Sequence, residues 1–237
     1  MHQFIKSYYA DWFPKLHSYV AFNLRINNLA YVLQLLSESL MKEFIPKDSS
    51  DKFSLLDSMP IITCSGKRQG KVANQITNKS YCSTKNLYYY GVKLHALASV
   101  NHGHLPHPES IVISKASEND LTVFKNNWKT LNNRTFFGDK IYINQEFFDE
   151  LYIKNNSEIL TPTKAVKGQS HALKYWDRAY NFQFSKAVST IRQPIEGFFN
   201  WLIEKTDIDR ASKVRSIKGL QVHIFGKLAA AFLNFVF

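Results

Sequence analysis

The stretch "LYYYGVKLHALASV" (87–100) constrains the fold most. It is rich in β-forming residues and reads as one strand or as a hairpin. Such a segment needs partners, and the chain supplies candidates on both sides. "FSLLDSMPIIT" (53–63), "SIVIS" (110–114), "RTFFGDKIYI" (134–143) and the short "SEILTP" (157–162) all read as strands. Helical patterns lie between and around them. "ENDLTVFKNNWKTL" (118–131) and "NQEFFDELYIK" (144–154) separate the later strands. "RQPIEGFFNWLIEK" (192–205) and "SIKGLQVHIFGKLAAAFLNF" (216–235) close the chain. Strands in the middle with helices between and after them predict a mixed α/β domain.

Residues 1–50 are expected to be a helical N-terminal segment. Leu29, Val32, Leu33, Leu36 and Leu40 recur there at helical spacing. Pro46 and "KDSSD" mark a boundary, so 51–237 is read as the main domain. Residues 65–86 are polar and basic without apolar periodicity and read as a loop; 165–190 remains ambiguous. "HGHLPHPE" reads as a turn. Its His102, His104 and His107 are expected to be solvated rather than a zinc site, which would need a fourth ligand.

Three acids sit beside apolar segments. Asp57 interrupts a strand, and Asp139 ends another after Gly138. Glu196 flanks the apolar stripe Ile195, Phe198, Phe199 and Leu202 early in a helix that Pro194 opens. Carboxylates beside a core are costly unless they are paired, hydrogen-bonded or metal-bound. Together they would make an oxygen-only site suited to Mg2+ or Mn2+. Taken singly, Asp57 and Asp139 could be turn residues, and Glu196 could complement a helix N-terminus. Spacing alone leaves both readings open.

The net charge of +11 points to a polyanionic partner, nucleic acid before an anionic membrane. Lys67, Arg68, Lys71, Lys79 and Lys85 fall after the first acid. Lys164, Lys167, Lys174 and Arg178 fall between the last two, and further cations follow Glu196. Tyr88, Tyr89 and Trp176 could pack in the core or stack on an unpaired base. The apolar run "LAAAFLNFVF" is too short to span a bilayer, so no membrane role is expected. Two cysteines, Cys64 and Cys82, give no disulfide framework and fit a reducing cytoplasm. The chain lacks G-x-S-x-G, H-E-x-x-H and G-x-G-x-x-G, which argues against serine hydrolases, zinc proteases and dinucleotide enzymes.

The blocks "LLDSMPI", "YYGVKLHALASVNHG", "GDKIYI", "RQPIEGFFNWL" and "DRASKVRSIKGLQVHIFGKLAA" occur in that order. In this series the chain resembles the DDE-type insertion-sequence transposases, and most closely the insertion-sequence family designated 982. The resemblance implies a ribonuclease-H-like fold, a mixed five-stranded sheet flanked by helices. It implies a catalytic, metal-binding triad of Asp57, Asp139 and Glu196 holding two Mg2+, with Mn2+ as a substitute. It implies DNA contact at Arg192, one turn before Glu196, and the cations Lys67, Arg68, Lys71 and Lys205 are assigned to DNA with it. The partners implied are the element's terminal inverted repeats and target DNA, bound by a homodimer on the bacterial nucleoid. A related group carries a Tyr three residues before the Arg and a Lys seven after the Glu; here those positions are Ser189 and Ile203. Relatives carry a further helical segment at the N-terminus. A shortened copy is therefore expected, with a catalytically inactive DNA-binding remnant as the alternative.

Overall fold

A computed structural model describes residues 1–43, 50–67, 72–101, 103–163 and 168–234. Helices α1 (His2–Tyr8), α2 (Tyr19–Asn28) and α3 (Ala30–Glu43) come first. Strand β1 (Ser50–Ser65), the short β2 (Asn78–Cys82), the long β3 (Leu87–Val100) and β4 (His107–Lys115) follow. Next come α4 (Asp120–Asn127), β5 (Thr135–Phe137), a 3-10 turn (Lys140–Tyr142), α5 (Gln145–Asn155) and β6 (Glu158–Leu160). Helices α6 (His171–Tyr180), α7 (Phe182–Arg192), α8 (Pro194–Thr206) and α9 (Ile217–Leu233) end the chain.

The strands form one mixed sheet in the order β2-β3-β1-β5-β6, with β4 also on β3. β3 pairs antiparallel with β1, β2 and β4, whereas β5 runs parallel to both β1 and β6. Because β2 pairs with the first third of β3 and β4 with the rest, the two share one edge. Six described strands thus fill five positions, and the expected ribonuclease-H-like sheet flanked by helices is the fold observed. The extra strand corrects the reading of 65–86 as a loop. Residue 87–100 is one strand rather than a hairpin.

Period-two alternation divides the sheet's side chains between two cores. Leu55, Met59 and Ile61 of β1, with Leu94, Ala96 and Ala98 of β3, face Ile195, Phe198, Phe199 and Leu202 of α8 and Leu220, Ile224 and Leu228 of α9. Leu56 and Leu97 face the other way, toward Phe124 of α4, Trp128, Phe136 and Phe147. Each fully buried side chain of this size contributes about 1.5–3 kcal/mol. The stripe predicted for α8 is the one buried, with Pro194 in its first turn.

The "RTFFGDKIYI" segment is strand only over Thr135–Phe137. Arg134 fastens this short strand: its guanidinium donates to Ser54 Oγ at 3.0 Å and pairs with Glu109 at 2.5 Å. A side chain at Gly138 would meet the Tyr142 ring at 2.8 Å, so glycine lets the chain leave the sheet under that ring. His107 overturns the expectation of solvated histidines: it is buried, and Nε2 lies 2.8 Å from the Met41 carbonyl, tying α3 to β4. Burial holds its pKa below the usual imidazole value, so the ring is the neutral donor. His104 is exposed, and His102 lies outside the described residues.

Candidate active site

Strand register builds the first half of the site. Leu55 pairs with Phe137 across the parallel β1–β5 ladder. Two residues further on, both chains present an acid, Asp57 on β1 and Asp139 just past β5. A step of two keeps a side chain on the same face, so Asp57 shares the α8 face with Leu55 and Met59. Its partner on β3 is Ala96, whose small side chain leaves room beside the carboxylate. Asp139 then caps the 3-10 turn, accepting from the Lys140 N–H at 2.5 Å.

The second half comes from the α7–α8 junction. Gln193 keeps helical dihedrals between the two helices, so Arg192 and Glu196 stay one turn apart. The Arg192 guanidinium pairs with Asp57 Oδ2 at 2.8 Å through one arm and with Glu196 through the other. The remaining Asp57 oxygen accepts from the Ser58 N–H at 2.8 Å. Burial raises the Asp57 pKa to about 6; Arg192 opposes this, while Glu196 and Asp139 add to it. The guanidinium is held protonated by the acids around it, against its own burial.

Asp57, Asp139, Glu196 and Arg192 line one cleft of about 560 Å³. The sequence-predicted acids are therefore brought together with the predicted arginine. Lys67 and Lys205 are exposed and stand outside that lining, and Arg68 and Lys71 lie outside the described residues, as do Lys164 and Lys167. Tyr89 is buried, whereas Tyr88 and Trp176 are exposed.

The cleft also brings in Asp120, Lys93 and Asp209, which sequence reading passed over, and Lys85, which it named only as one of a basic run. Behind Asp57, Asp120 accepts from Ser58 Oγ at 3.0 Å and pairs with Lys93 at 2.8 Å. His95 lies on the same network, with Nε2 2.8 Å from Ser114 Oγ and Nδ1 3.7 Å from Asp120. Burial lowers the His95 pKa to about 4, so the ring is neutral. On another wall Lys85 pairs with the buried Asp209 at 2.5 Å. Asp120 looked like an ordinary helix-start acid and Asp209 like one charge in "DIDR". Only the "DIDR" acid next to apolar Ile208 gave a local hint.

The transposase DDE domain family matches residues 48–233, most of the chain. This chain belongs to the DDE transposase family. No curated protein and no solved structure matches it. A DDE transposase acts on DNA and works with a divalent metal ion, and an acid-lined cleft at strand ends suits both. The donors fit such an ion in kind, since all are hard carboxylate oxygens and two of them destabilise the buried Asp57 anion that a cation would relieve. They do not yet fit in spacing. Among the described residues no three His, Cys, Asp or Glu side chains are gathered closely enough to hold a metal ion. Arg192 occupies two of the three acids instead. Among the described residues no helix is long and apolar enough to cross a membrane.

Proposed function

We propose that this transposase belongs to the insertion-sequence family designated 982. It would cut the ends of its element and join them to target DNA, with Asp57, Asp139 and Glu196 as the catalytic, metal-holding acids. The observation that carries this reading is the convergence of those three acids on one cleft within a DDE-family chain. Asp57, Asp139 and Glu196 would together hold two Mg2+, for which Mn2+ can substitute, once Arg192 releases Asp57 and Glu196. Such ions activate an attacking oxygen and stabilise the leaving oxygen of an in-line phosphoryl transfer.

The chain's own residues prepare that chemistry. Above pH 6 Asp57 is mostly ionised, the form in which a carboxylate can take a cation in place of Arg192. The Ser58 N–H fixes one of its oxygens and so the direction of the other. Arg192 orients Asp57 and Glu196 through its two arms, and a planar fork of this kind equally suits a DNA phosphate. Lys67, Arg68, Lys71 and Lys205 neutralise phosphates along the strand. The protein works as a homodimer on paired terminal repeats, on the bacterial nucleoid, with 1–50 as an appended helical segment and 51–237 as the catalytic domain.

Mn2+ titration of the purified chain beside Asp57→Asn and Asp139→Asn tests the site. Saturable binding in the wild type that both substitutions remove is expected. Cleavage of duplex DNA carrying the sequences that flank its own gene should be lost in Asp139→Asn while DNA binding stays. The Arg192 pairs favour one second reading, a catalytically inactive DNA-binding remnant whose acids are held by arginine. Weak Mn2+ binding indifferent to both substitutions would select it.

A further inference from the structure

Three cations paired with carboxylates line the cleft: Arg192 with Asp57 and Glu196, Lys93 with Asp120, and Lys85 with Asp209. They differ in what the cation can still reach. The side chains of Arg192 and Lys93 are 15% and 18% exposed, and Lys93 is also tied to the Glu118 carbonyl at 2.9 Å. Lys85 is 37% exposed over an Asp209 side chain that is only 4% exposed. Asp209 is rigidly mounted. Its carbonyl accepts from the Ile62 N–H at 2.8 Å, and the Ala211 N–H donates to the Ile62 carbonyl at 2.8 Å, clamping this segment to β1. Its Oδ1 is buried with no hydrogen-bond partner among the described residues.

Lys85 belongs to the β2–β3 turn, where Ser83 and Thr84 precede it and also line the cleft with the three acids. Two hydroxyls and an ammonium at an exposed tip form a set of donors for an oxyanion. The ammonium has three N–H groups and Asp209 Oδ2 takes one, so a second oxyanion can be held without leaving Asp209 unpaired.

We propose that the hairpin tip Ser83–Thr84–Lys85 grips a backbone phosphate of the DNA strand lying in the cleft, with Asp209 as the fixed counter-ion that positions Lys85. The assignment rests on the transposase reading and adds a strand-holding contact to it. Lys85 acts on the flanking backbone, not on the reacting phosphate.

The test is salt-dependent binding of a fluorescein-labelled, mixed-sequence duplex, followed by anisotropy, with thermal unfolding as the folding control. Lys85→Ala should bind several-fold more weakly and lower the slope of log affinity against log salt by about one. Lys85→Arg, which keeps the charge, should retain the wild-type slope, and a slope lowered in Lys85→Ala at unchanged unfolding temperature is what a merely structural role would not give. Ser83→Ala with Thr84→Ala should weaken binding and leave the slope in place. Asp209→Asn, if it unfolds at the wild-type temperature, should weaken binding through a misplaced Lys85. A Lys85→Ala protein with the wild-type slope and affinity would overturn the assignment. If Asp139→Asn abolishes cleavage in the same series, the transposase reading survives that failure. A wild-type chain that binds no duplex at any salt overturns both.

Discussion

Helices α6 and α8 carry similar apolar stripes and meet opposite fates. Leu173, Trp176 and Tyr180 recur along α6 at steps of three and four, yet α6 buries no residue and Tyr180 is 89% exposed. The stripe of α8, with Ile195, Phe198, Phe199 and Leu202, is buried almost completely. What differs is the surface opposite. α8 lies across the sheet face built by β1 and β3, whereas α6 leans on its neighbour α7. A helical stripe shows which side of a helix is apolar, and only tertiary placement says whether anything covers it. The catalytic candidate Glu196 sits on the covered helix, where packing fixes its backbone while its side chain stays half in solvent.

Four measurements would break or sharpen that contrast. The largest effect should come from Glu196→Gln on α8: DNA cleavage should fall about a thousandfold or more with unchanged far-ultraviolet circular dichroism. Cleavage at the wild-type rate would reduce α8 to a packing element. Next, Phe198→Ala should cost about 3–5 kcal/mol in urea unfolding, because the ring is fully buried between helix and sheet.

The opposite sheet face gives a third, pH-dependent measure. His95 is neutral when folded, with a pKa of about 4 against 6.5 for a free ring. It faces Asp120 of α4 and Lys93 of its own strand. The unfolded chain binds this proton first, so stability is complete above pH 6.5 and falls as pH drops toward 4, by about 3 kcal/mol. His95→Gln should flatten that part of the curve in thermal unfolding at stepped pH. An unchanged curve would place the acid sensitivity elsewhere. The smallest effect belongs to Trp176→Ala on α6, expected within about 0.5 kcal/mol. A loss of several kcal/mol would mean that α6 is covered after all.

Much of the acid-lined cleft was legible because its acids stand out locally. Asp57 breaks an apolar alternation, Asp139 follows the glycine that ends a strand, and Glu196 borders a clean helical stripe. The strand β2 was not legible, since "NKSYC" is polar on both faces and gains its order only from pairing with β3. Lys85 and Asp209 are 124 residues apart, so no local pattern announces their pairing. His107 was misread because its partner is a main-chain carbonyl of α3, which residue type cannot reveal. The Arg192 pair with Glu196 was foreseeable at four residues' spacing, but its second arm on Asp57 depends on how the helix lies over the sheet.

The parallel ladder between β1 and β5 separates what evolution can vary from what it cannot. Asp139 stands beside Asp57 because Phe137 pairs with Leu55, whatever length of chain lies between the strands. Extra residues at the Asn132–Asn133 turn, where Asn133 already takes a left-handed backbone, would lengthen a surface excursion and leave both acids in place. Loss of one residue within Thr135–Phe137 would turn Asp139 to the far side of the sheet. Lineages of this protein should therefore drift freely in loop length while counting residues strictly within one three-residue strand.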